Sequence, residues 1–151
     1  MLDKVPHLLH LLGFAAFLGS AYAQQEFMKA SARAGLAASV RDAYEGLAAS
    51  IVTKIELPAL LTQVASGVVF IVLTPGWLKM GWLHGKLTAV VVLLVLSHVE
   101  MFNARAIARL RKERGDAAAT EIDARKKRHA TLGAIGTVAV VAVIGLVVFG
   151  R

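Results

Sequence analysis

The stretch TLGAIGTVAVVAVIGLVVF, Thr131 to Phe149, carries no charged residue over nineteen positions. A helix needs ~20 predominantly apolar residues to cross the hydrocarbon core of a bilayer. Valine, isoleucine and threonine are poor helix formers in water, but a lone segment in lipid can satisfy its backbone only as a helix. The run is also too long for a strand. Three other stretches approach this length, at about residues 5–28, 51–73 and 82–102. The expectation is all-α: an integral membrane four-helix bundle forming a single domain.

Composition agrees. Of 151 residues, 57% are hydrophobic and 18% charged, against about a quarter charged in an ordinary soluble domain. The absence of cysteine excludes disulfides, thiolate metal sites and Fe–S clusters. The net charge of +7 does not point to nucleic acid, because the basic residues adjoin apolar runs instead of alternating with aromatics on a polar surface. Thirteen of the seventeen Lys and Arg fall in segments 29–54 and 105–128. The positive-inside rule puts those segments in the cytoplasm and both termini outside. No phosphate-binding glycine loop, nucleophile elbow or zinc-protease motif is present.

Local signals set the boundaries. Leu73-Thr-Pro-Gly-Trp77 ends the second span, since Pro75 and Gly76 both break helices, and Trp77 and Trp82 suit the membrane–water interface. Ala21-Tyr22-Ala23 resembles a signal-peptide cleavage site. The first seven residues lack net positive charge, however, and His7 and His10 interrupt the apolar stretch, so the segment reads as a transmembrane helix. Beyond Phe102, Arg105, Arg109 and Lys112 share one helical face, and Ala106 and Leu110 another. Gly115 should stop that helix and Asp116 cap the next. Helices three and four then extend into a cytoplasmic hairpin, whose basic side meets either anionic headgroups or water.

Polar residues inside spans are costly and mark functional positions by default. His7 and His10 lie three apart on the first helix, on one face. His84 opens the third helix, which runs in the same direction as the first, so His10 and His84 should lie in the same leaflet. Two imidazoles at similar depth on facing helices suit a six-coordinate heme iron. His98 returns to within about 40° of the His84 face, about 21 Å along the axis. His129 is too close to the cytoplasm to pair with His98, and Glu56 suits a hydrogen bond to it better, so one heme is favoured over two. The plainer readings are polar packing between helices for His10 and His84, headgroup contacts for His7 and His129, and snorkelling or pairing of Lys54 and Glu56. A copper or zinc site at His7 and His10 lacks an evident third ligand.

The segment Ile55-Glu-Leu-Pro-Ala-Leu-Leu61, Gly67, the motif Gly81-Trp-Leu-His-Gly-Lys-Leu87 and the later His98 resemble the HemJ-type protoporphyrinogen IX oxidase family. His10 with Gly13 and Phe14-Ala-Ala-Phe-Leu-Gly19 is similar to that family's first span. The likeness covers roughly residues 7–105. It implies a bacterial inner-membrane protein of porphyrin biosynthesis that binds heme b, with His10 and Lys86 matching the first-helix histidine and third-helix lysine associated with protoporphyrinogen oxidation. With the depth argument for His10 and His84 as metal ligands, the expected cofactor contacts are His10, Trp82, His84, Lys86 and His98. The likeness further implies an oxidoreductase in which Lys86 is catalytic. The chain departs from the family at Ala23-Gln-Gln-Glu-Phe27, where an arginine is usual, and at Lys126-Lys-Arg-His-Ala130, where an Asn-Glu-x-Pro segment is usual. CopD-like copper-resistance domains share the first-helix histidine pattern. Membrane lipid and a porphyrin are the expected partners, and no nucleic acid is. The alternative to an enzyme is an accessory subunit packing against another membrane protein or a copy of itself through its small-residue-rich helices one and four.

Overall fold

A computed structural model describes residues 4–150 of the chain; Arg151, one of the four Lys and Arg outside segments 29–54 and 105–128, lies outside them. Helix α1 is Lys4–Ala30, α2 Ala38–Ile51, α3 Leu57–Leu73, α4 Gly81–Arg114 and α5 Ala119–Phe149. No strand occurs among the described residues. Three helical runs are long and apolar enough to cross a membrane by length and composition: Lys4–Ala30, Ala38–Leu73 and Gly81–Phe149. The third is not straight. Gly115 takes φ +53° at the end of α4, a conformation that favours glycine, and α5 folds back along α4 so that Leu146 packs on Gly85.

The second run begins thirteen residues earlier than the apolar stretch starting at 51. Helix α2 buries Glu45 and Ala48 and continues into α3 through a π-helical turn at Val52–Glu56. Pro58 explains the turn. It offers no amide hydrogen to the carbonyl of Lys54, so the ladder widens just before it, and Glu56 is rotated into the core with 1% exposure.

The expected stop at Gly115 is observed, and Arg105, Arg109 and Lys112 are exposed while Leu110 is buried. Asp116 does not cap α5, whose start has no side-chain cap. Its carboxylate instead accepts a hydrogen bond from Arg111 at 3.1 Å.

Over the apolar stretches the outer surface is as hydrophobic as the interior. Leu11, Val72, Val95 and Val138 are each at least 59% exposed, apolar surface of a kind that suits lipid. The interior is layered. One apolar layer contains Phe17, Ala59, Leu60, Leu93 and Val143, and a second contains Met28, Ala48, Val52, Ala104, Ile107 and Ile122. Between them lie Gln24, Glu56, Ser97, Glu100 and His129, all buried. Beyond the second layer, Glu45 receives Arg111 and Lys126.

Candidate functional site

A cavity of about 450 Å³ opens between α1, α3, α4 and α5 at the end of the bundle that holds His10. Gly13 lets α1 approach α3 closely: a Cβ there would sit 3.0 Å from the Ala59 carbonyl oxygen. This approach brings the His10 ring against α3. Its Nδ1 lies 3.0 Å from the Gln63 carbonyl oxygen and 3.0 Å from Ser66 Oγ. A carbonyl can only accept, so Nδ1 carries the hydrogen, and Nε2 keeps the unshared pair. Phe70 meets the His10 ring edge-on at 5.5 Å and the His7 ring at 4.4 Å.

From α4, Trp82 and Lys86 line the same cavity. They are four residues apart and so share a helix face. Lys86 is half-buried and within electrostatic range of His10. Trp82 packs edge-on against Trp77 at 6.0 Å. The rest of the wall is mainly leucine, valine, isoleucine and phenylalanine side chains, with Gln63 among them.

His84 and His98 are elsewhere. Both are exposed on the outer surface of α4, and each turns Nδ1 back to the carbonyl four residues earlier, Met80 at 3.1 Å and Leu94 at 2.7 Å. The expected opposition of His10 and His84 is therefore not built. Residues two apart on a helix point in nearly opposite directions, so a face that presents Trp82 and Lys86 inward must present His84 outward. Glu56 meets Ser97 and Glu100 from α4, not His98. His129 is fully buried, with Nε2 2.6 Å from Gln24 Oε1, so it is no headgroup contact.

The layer containing His129 also includes residues that the sequence reading passed over. Gln25 donates to Glu100 at 2.7 Å, and its amide occupies the space a side chain at Gly133 would fill. The signal was present as the polar run Gln24-Gln25-Glu26 within an apolar segment, and as Glu100 near the end of another.

Compared with protein-family models, curated proteins and solved structures, the chain gives no match. The likeness to the HemJ-type family therefore rests on its motif residues. Among the described residues, no group of three or more His, Asp or Glu is arranged to hold a metal ion by itself. A macrocycle that brings four nitrogens of its own asks less of the protein: one axial donor, flat apolar walls and a cation for its carboxylates. His10 Nε2, the aromatic and aliphatic lining, and Lys86 answer those three needs in one cavity.

Proposed function

We propose that this chain is a multi-pass membrane protein that holds a porphyrin, heme b, in the cavity bounded by His10, Trp82 and Lys86. The observation that carries this reading is the hydrogen bond from His10 Nδ1 to the Gln63 carbonyl. Histidines that ligate metals are commonly held this way, with the second nitrogen anchored to a carbonyl so that tautomer and ring plane are fixed. His10 would supply the axial nitrogen, Trp82 a flat wall and Lys86 a counter-charge for a propionate. Bound there, heme would supply an iron centre able to accept and release single electrons.

The bundle crosses the bilayer four times in this reading. Helices α4 and α5 are 34 and 31 residues long, so each exceeds the ~20 residues one crossing requires. Termini and cavity face outward in a bacterial inner membrane, and the basic hairpin lies in the cytoplasm. Protoporphyrinogen IX is the proposed substrate, by resemblance to the HemJ-type family. Lys86, at the edge of an apolar cavity, would either anchor a porphyrin propionate or carry protons away from the substrate, and the two roles are alternatives. His10 is assigned to the cofactor.

An absorption spectrum of the purified protein, before and after heme reconstitution, tests the proposal. A Soret band that is lost in His10→Ala is expected. No Soret band after reconstitution would overturn it, and a membrane partner co-purifying without chromophore would favour the accessory-subunit reading. Loss of protoporphyrinogen oxidation in Lys86→Ala with heme retained would separate an enzyme from a passive binder.

A further inference from the structure

The second cavity, about 550 Å³ between α1, α4 and α5, differs in chemistry from the first. It is lined by Glu56 and Glu100, by the amides of Gln24 and Gln25, and by apolar side chains that include Phe17 and Leu93. Glu56 is 1% exposed, and neither of its carboxylate oxygens has a hydrogen-bond partner at full bonding geometry, although the Ser97 hydroxyl is its polar neighbour. Glu100 is 6% exposed, and among the described residues its side chain accepts a hydrogen bond from the neutral amide of Gln25. The two carboxyls are close enough to repel each other when charged. Among the described residues, no lysine or arginine pairs with either. Lys29 at the rim is bound to Glu26 at 2.8 Å, and Lys126 and Arg111 are both engaged by Glu45. His129 on α5 directs Nε2 to Gln24 instead.

An unpaired carboxylate in apolar surroundings persists only if it takes up a proton or a cation. The size and lining of the space indicate which cation. A volume of about 550 Å³ lies in the range of small-molecule sites and is far larger than a bare metal ion requires. Its walls are mainly apolar, with Phe17 inside and Tyr22 at the rim as aromatic faces for a diffuse positive charge. We propose that this cavity binds a lipophilic organic cation, an aromatic or quaternary amine, whose charge is met by Glu56 and Glu100. Entry of the cation displaces a proton from the carboxyl pair, so that positive charge is exchanged and not added.

Tetraphenylphosphonium is a suitable probe for the intact protein in detergent. Calorimetry should show saturable binding that tightens as pH is raised, with protons released into a weakly buffered solution. Glu56→Gln should weaken binding by more than about a hundredfold, the cost of removing one member of a buried ion pair. Dicyclohexylcarbodiimide, which modifies protonated carboxyls in apolar sites, should label Glu56 or Glu100 in the wild-type protein, and the probe should protect them. Absence of saturable binding by the wild-type protein would overturn the proposal, as would unprotected labelling or equal binding by a folded Glu56→Gln/Glu100→Gln variant. The wild-type measurements decide the matter even where the variants do not fold.

Discussion

Arg111 of α4 closes on Glu45 of α2 with two parallel bonds, Nε to Oε2 at 3.0 Å and Nη2 to Oε1 at 3.2 Å. Lys126 of α5 approaches the same carboxylate at 2.6 Å and also donates to the Ser31 carbonyl at 3.3 Å, just beyond the end of α1. One buried acid thus ties four segments together at the end of the bundle remote from His10. The bond from Glu45 and the nearby Asp116 raise the Arg111 pKa above its ordinary value, so the guanidinium stays charged across the working pH range.

Removing Glu45 should leave two buried cations facing each other. Glu45→Ala is expected to destabilise the fold by about 3–5 kcal/mol, the usual cost of breaking a buried pair by removing one partner. Thermal melting in detergent measures it. A change no larger than that of Glu26→Ala, which breaks only an exposed pair, would refute the assignment.

Gly133 and Gln25 should prove coupled. An alanine at 133 displaces the Gln25 amide and with it the bond to Glu100, at a cost of about 1 kcal/mol for the lost hydrogen bond. In a Gln25→Ala background the same substitution should cost almost nothing. Additive losses in this double-mutant cycle would show that the two residues act independently.

The inward His10 of α1 and the outward His84 of α4 should behave differently toward heme. His84→Ala is expected to leave the Soret position and intensity of the reconstituted protein unchanged, because His84 is exposed and its ring bonds back to the Met80 carbonyl at the start of its own helix. His10→Ala is expected to abolish the band or reduce it severely. Equal loss in both variants would mean that the ring is held somewhere other than the cavity of His10.

Topology can be read without background, because the chain has no native cysteine. A cysteine placed at Asp116, which is 78% exposed at its side chain, should react with an impermeant maleimide only from the cytoplasmic side. One placed at Lys79, in the turn Pro75–Lys79, should react only from the other. Labelling of both from the same side would contradict the four-crossing arrangement.

Sequence alone was enough for the helical class and for the hairpin turn. Apolar runs such as Thr131–Phe149 have one backbone solution in lipid, and Pro75 and Gly115 interrupt helices by their own geometry. It also identified His10, Trp82 and Lys86 as chemically notable. The direction in which α4 faces was within its reach, since the two-residue step from Lys86 to His84 turns a side chain to the opposite side of any helix. The extension of α2 back to Ala38 was less legible, because that helix is amphipathic and packs on the hairpin instead of adding to an apolar run.

Only the tertiary structure decided the interior. Whether Glu56, Glu100 and His129 look toward lipid headgroups or into the bundle depends on the π-helical turn before Pro58 and on where three helices lie relative to each other. Those rotations come from packing between segments far apart in the chain, with Gly13 against Ala59 and Gln25 against Gly133. No local pattern encodes them. The charge of each residue was readable from the sequence, but its partner was not.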